Sequence, residues 1–364
     1  MNFDASKEWT ILFPSDIEHA KKAVADLSRY IGLLSAGNTA SGSGGAGPLK
    51  APPIVDALDA APDGAVMVLS SNGHTYERNG FSWRAGEARV EISGESGRGL
   101  CNGIYSFLAA LGISWPAPGQ EKLPTHTARA TFALASDSAC ELSGSEGETP
   151  TTPLRPAAAN LRRFVPEGKN EVKDFLKKGE AFVAWAARRR YDALVFPLAA
   201  YASGSAGRKI KQLRQFTEEY GITLEAGGRE LSSLVPRRYF LLHREFFRMD
   251  EGKREKDHHF CSTSPDVAHL IARESERLFR FAPDAAVIHL WPDRGAETAW
   301  CSCPACRAFT PLEQNRIAIN IAADTLAALT RDAKPNAFIS YFEKPGEGGR
   351  IKPRKNTFSV SEIP

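Results

Sequence analysis

The chain has 364 residues with 46 Lys and Arg against 43 Asp and Glu, a net charge of +3 that is too small and too scattered to point to nucleic acid. Apolar residues make up 42% and charged residues 24%, an ordinary globular balance in a chain long enough for two domains. No run approaches the roughly 20 apolar residues of a membrane span, no basic-then-apolar leader opens the chain, and six cysteines do not make a disulfide scaffold at this length; a cytoplasmic protein with reduced thiols and no membrane partner is expected.

Trp9 to Pro14 reads as a short strand. Ser15 with Glu18 has capping-box spacing, and Ile17, Ala20, Val24, Leu27, Ile31 and Leu34 follow as one helical stripe. From Ser35 to Pro53 the sequence turns to Gly, Ser, Ala and Pro; GSGGAG lacks the Lys of a phosphate loop and Pro52-Pro53 would block its helix, so a flexible loop is expected. Strands are predicted at Ala65–Ser70, Phe81–Arg84 and Ala88–Ile92, between glycine turns. Gly97 to Gly103 then opens a helix striped by Leu100, Ile104, Phe107, Leu108 and Leu111. Its glycines mimic a dinucleotide fingerprint, but no acid-tipped strand follows within about 20 residues. Glycines that let a helix pack closely on a sheet explain it better, and a nicotinamide-linked enzyme is the third functional reading.

Asp137 to Pro156, rich in Ser, Gly, Thr and Pro, reads as a linker or surface loop. Beyond it helices and strands alternate. Strands are expected near Leu161–Val165, Ala193–Phe196, Ile222–Leu224, Val287–Leu290, Ala337–Tyr341 and Thr357–Val360, with helices over Ala181–Arg190, Lys209–Tyr220, Glu313–Thr330 and after the Ser264-Pro265-Asp266 cap. The fold class is α/β: a small α+β domain over 1–128, a linker over 129–156, and a TIM-like (β/α) barrel over 157–364. Six strands fall two short of a closed barrel, so a truncated or incomplete one is expected.

Chemistry concentrates where barrel strands end. Ala286 to Leu290 is an apolar strand that Pro292 stops, and Trp291, Asp293, Arg294, Glu297 and Trp300 crowd the loop behind it. Glu225, Arg229 and Glu230 follow the Ile222–Leu224 strand, and Tyr341 and Glu343 follow the Ala337–Ser340 strand. Acids, aromatics and arginines at three strand ends suit a carbohydrate, whose ring faces stack on indoles and whose hydroxyls bond carboxylates and guanidinium groups. Glycoside cleavage needs two carboxyl groups about 5–5.5 Å apart for retention or about 6.5–9.5 Å for inversion. Asp293 is the expected general acid, with Glu297 or Glu343 as its partner. Glu225, Arg229, Trp291, Arg294, Trp300 and Tyr341 are the expected substrate contacts. A non-catalytic sugar-binding protein is the alternative. No cofactor is required. Cys301, Cys303 and Cys306 have the spacing of three thiolates on a structural zinc, with Cys261, His258 or His259 open as a fourth ligand and with reduced thiols or a disulfide as other outcomes.

The run Gly94-Glu95-Ser96-Gly97-Arg98-Gly99, with Gly103 to Leu108 and Leu111 to Trp115, resembles the small α+β domain that precedes the barrel in bacterial hexosaminidases and α-glucuronidases. Asp293-Arg294-Gly295 leading into Cys301 to Ala308 resembles the barrel grouped as domain of unknown function 4838. The resemblance implies a carbohydrate-active protein. Hexosaminidases carry an adjacent Asp-Glu pair and a His after the third strand; here Arg294 follows Asp293 and Arg229 takes the His position, so their substrate-assisted mechanism is not implied.

Overall fold

The computed structural model describes residues 2–5, 7–17, 19–37, 51–56, 64–72, 79–124, 131–133, 161–297, 299–330, 337–344 and 346–363. Glu18 of the expected capping box, most of the Gly/Ser loop and the whole 137–156 linker lie outside these. In chain order the first elements are β1 (Asn2–Asp4), β2 (Trp9–Leu12), α1 (Lys21–Gly37), β3 (Ile54–Val55), β4 (Ala65–Ser71), β5 (Phe81–Ala85), β6 (Arg89–Gly94), α2 (Gly97–Ala110) and β7 (Thr131–Ala133). Next come β8 (Arg163–Phe164), α3 (Gly168–Lys178), α4 (Glu180–Arg188), β9 (Ala193–Phe196), α5 (Leu198–Ala202), α6 (Gly204–Glu219) and β10 (Thr223–Gly228). The chain continues through β11 (Met249–Asp250), β12 (Lys253–Arg254), α7 (Pro265–Phe279), β13 (Val287–Leu290), α8 (Pro311–Thr330), β14 (Phe338–Phe342) and β15 (Thr357–Val360).

The chain divides into two compact units. The first takes Met1–Thr151 together with Asp174–Asp192 and Lys211–Thr223; the second takes Thr152–Lys173, Ala193–Ile210 and Leu224–Pro364.

The first unit is an α+β body on a five-stranded sheet of order β3-β2-β4-β6-β5, parallel except for β5. The α1 stripe buries Ala20, Val24, Leu27 and Ile31 as its spacing predicts. The helix itself starts later, at Lys21, because His19 holds a φ of 64° that no helix accepts, and Ser15 donates to Asp56 at 2.6 Å. In α2 the Ser96 hydroxyl accepts from the Gly99 N–H at 3.1 Å, a helix N-cap. Its glycines work by absence. A Cβ on Gly99 would sit 2.4 Å from the Gly80 carbonyl oxygen, and one on Gly103 would meet Ile92 at 2.8 Å. The Gly-rich segment is a packing device. Gly94 is the tightest point, since a Cβ there would lie 2.0 Å from the Leu100 backbone nitrogen. Gly94→Ala should therefore destabilise the protein by about 3 kcal/mol, the upper part of the usual overpacking cost, read from a lower urea midpoint at unchanged slope.

The second unit carries a six-stranded sheet of order β15-β14-β13-β10-β9-β8, each strand beside its successor along this series. The β8–β9, β10–β13, β13–β14 and β14–β15 pairs are parallel. This is a curled half-barrel of TIM type, mixed α/β as the element pattern predicts. β9 and β13 are buried at every position, which is why they read as unbroken apolar runs. Ser264 caps α7 by accepting from the Val267 N–H at 3.4 Å, with Pro265 in the first turn. The largest difference from the expected strand boundaries is at β10. β10 runs on to Gly228, because Gly227 and Gly228, with φ of 96° and 129°, let it lie against β13; a Cβ on Gly227 would be 2.1 Å from the His289 carbonyl oxygen.

Candidate functional site

That longer strand moves Glu225 into the sheet, 2% exposed, instead of its C-terminal edge. Its carboxylate accepts from Arg163 Nε at 2.7 Å and lies 2.7 Å from His289 Nε2. A carboxylate can only accept, so His289 carries its proton on Nε2 and offers Nδ1 as an acceptor. Ser340 Oγ, 2.8 Å away, donates to that nitrogen and itself accepts from Trp291 Nε1 at 2.7 Å. Trp291, Ser340, His289, Glu225 and Arg163 thus form one satisfied chain across β13, β14, β10 and β8. Burial alone would push the Glu225 carboxyl up, but Arg163 and His289 outweigh it and hold it near 2. Burial pushes the His289 imidazole down against the pull of Glu225, in keeping with a neutral ring.

The expected sugar-stacking rings require correction. Trp291, Trp300 and Tyr341 are 0%, 7% and 2% exposed. Trp300 stacks on His259 at 4.2 Å, and Tyr341 donates to Glu343 at 2.9 Å, its phenol pushed to about 12 chiefly by burial. A ring with no open face cannot stack on a sugar, so these three support the walls. Glu343 is held also by Arg316 at 2.8 Å.

Arg229, Asp293 and Glu297 lie beyond the strand ends, on the segments that follow β10 and β13. The backbone ladder of β10 and β13 continues past both strands: Trp291 N–H donates to Gly228 O at 2.8 Å and Leu231 N–H to Trp291 O at 3.1 Å. Residues 229–230 and 292–293 therefore emerge side by side. The Asp293 carboxylate accepts from His258 Nδ1 at 3.2 Å. Arg229 pairs with Glu297 at 3.3 Å and also donates to the Pro292 carbonyl. Arg294 points outward to Glu167 at 3.0 Å, both mostly exposed. On Glu297 the upward push of burial is outweighed by backbone hydrogen bonds and Arg229, which hold it low.

The sequence places Glu230 behind the Ile222–Leu224 strand without giving it a role, and it does not single out Arg237. Glu230 is half-buried; burial, helped by the charge of Asp293, raises its carboxyl above the usual range although the Leu198 N–H donates to it at 3.0 Å. Arg237, from the loop between β10 and α7, lies in the field of Asp293 and Asp257, with burial lowering its pKa. It donates to the His258 carbonyl at 2.7 Å, while its buried Nη1 has no partner among the described residues. The β10–α7 excursion has no regular period, only short 3₁₀ turns and a hairpin, so nothing in the sequence aims these side chains.

No family model and no curated protein matches the chain, so its resemblance to the domain of unknown function 4838 gains no support. Among solved structures, a chitobiase from Flavobacterium johnsoniae is 12% identical over 99% of this chain and 52% of its own, at a TM-score of 0.50. The likeness is one of fold. A family 20 exo-β-N-acetylglucosaminidase from Vibrio harveyi is 12% identical over 99% of this chain and 54% of its own, at 0.48. A β-N-acetylhexosaminidase from Bacteroides fragilis is 11% identical over 99% and 67%, at 0.44. The chain spans about half the length of the first two. Among the described residues no helix is long and apolar enough to cross a membrane.

Proposed function

We propose that the chain is a glycoside hydrolase whose acid–base pair is Glu230 and Asp293. One observation carries the reading: two carboxyl groups follow the C-terminal ends of adjacent parallel strands, and burial with the neighbouring charge of Asp293 raises Glu230 above the usual carboxyl range. Glu230, raised by burial and by a neighbouring negative charge, is the proton donor to the leaving oxygen. Asp293, beside His258 and in the field of Arg237, is the charged partner that meets the anomeric carbon or activates a water. Glu297, held low against Arg229, is a second anionic group at the same edge. Arg237 Nη1 supplies a donor for a substrate hydroxyl or carboxylate. The chitobiase-like fold supports this reading, since TIM-type barrels place their chemistry at this edge.

A non-catalytic sugar-binding role has one observation in its favour, that Glu230 already accepts from the Leu198 N–H and so braces the loop after β9. The full chain should be assayed against aryl N-acetylhexosaminides, glucosides and glucuronides, with calorimetric binding of the same sugars in parallel. Release of the aryl group supports the hydrolase; binding without release supports the binder and sinks the acid–base pair.

A further inference from the structure

Four thiols converge in the second unit. Cys261 follows the β11–β12 hairpin, and Cys301, Cys303 and Cys306 lie on the loop between β13 and α8. Their sulfur atoms all lie within 4.8 Å of one another, and Cys261 Sγ is 3.7 Å from both Cys303 Sγ and Cys306 Sγ. A disulfide requires about 2.05 Å, so these are free thiols. Four sulfurs each about 2.3 Å from a tetrahedral zinc are about 3.8 Å from one another. The two measured separations match the edge of that tetrahedron.

The surroundings fit thiolates better than four packed small apolar groups. All four side chains are buried. The Met249 N–H donates to Cys301 Sγ at 3.3 Å, the Arg254 guanidinium lies 3.9 Å from the same sulfur, and the Thr263 hydroxyl is 3.2 Å from Cys306 Sγ. Donors aimed at sulfur, with a cation beside it, offset the net negative charge of four thiolates on a divalent ion. Gln314, in the first turns of α8, clamps the loop: it accepts from the Cys301 N–H at 3.2 Å and donates to the Cys301 carbonyl at 3.1 Å. Soft sulfur ligands exclude calcium and magnesium and suit zinc, as they also suit iron or copper(I), which metal analysis distinguishes.

We propose that Cys261, Cys301, Cys303 and Cys306 bind one zinc ion in a closed, structural tetrathiolate site. Four protein ligands leave no open position, so the ion takes no part in bond breaking. It ties the loop carrying His258 to the loop carrying Asp293 and Glu297, and so fixes the spacing of the groups at the strand ends. This site stands or falls independently of the hydrolase reading.

The full chain, produced with zinc and reductant and then desalted, should contain about one zinc per chain by plasma mass spectrometry. Dialysis against cobalt(II) should give sulfur-to-metal charge transfer and the intense ligand-field bands of a tetrahedral site. Cys261→Ser should lower zinc below about one-tenth per chain, whereas Cys101→Ser, outside the cluster, should leave it unchanged. Should Cys261→Ser fail to fold, wild-type metal content and the cobalt spectrum decide. Wild-type protein with less than about one-tenth zinc and no tetrahedral cobalt spectrum overturns the proposal, as does a Cys261→Ser variant that keeps its zinc.

Discussion

Glu225→Ala should destabilise the second unit by about 3–5 kcal/mol, the cost of leaving one member of a buried ion pair alone. Arg163 and Glu225 each have side chains only 3% exposed, so water cannot replace the lost partner. The same change removes the acceptor that sets the His289 tautomer, and the disturbance passes through Ser340 to Trp291. Thermal unfolding should show it as a drop of roughly 10 °C. The pH dependence gives an independent check. The folded carboxyl is held near 2, below its unfolded value, so its stabilising contribution is present above about pH 4.3 and is lost as pH falls toward 2. The deficit of Glu225→Gln relative to wild type should accordingly shrink on acidification through that window. A deficit that stays constant from neutral pH down to about 2 would show that Glu225 is not ionised in the native state.

Glu230→Gln should lower turnover of an aryl glycoside by about 10²–10⁴-fold, the usual contribution of a positioned acid, with little change in sugar affinity. The amide keeps the acceptor for the Leu198 N–H but has no proton to give. The sign of the pH profile follows from the raised carboxyl: wild-type turnover falls as pH rises through the Glu230 pKa, and Glu230→Gln loses that alkaline limb. Asp293→Asn should produce a loss of similar size. A variant that folds normally and turns over at the wild-type rate would reduce Glu230 to a brace for the loop after β9. Good leaving groups help here, since an aryl oxide needs less protonation and should soften the Glu230 defect more than the Asp293 one.

Local pattern was enough for much of this protein. Six parallel-sheet strands, the α7 cap at Ser264 and the packing role of the glycines around Gly99 were legible because burial and capping leave marks within a few residues. The crowding of Asp293, Glu297 and the cysteines behind β13 was legible for the same reason. Tertiary structure decided what each of these side chains faces. Glu225 sits two and three residues before Gly227 and Gly228, which prolong β10, and only the close approach of Gly227 to His289 draws it inside the sheet, where Arg163 from β8 reaches it. Trp291 looks like a sugar platform in sequence, yet cross-strand contact with Ser340 buries it. Glu230, Arg237 and Cys261 come from an excursion without period, and their partners lie 32, 21 and 42 residues away. Composition can announce that acids and thiols are present. Which acid is buried beside another charge, and which sulfurs converge, depends on distances that exist only after the chain has closed on itself.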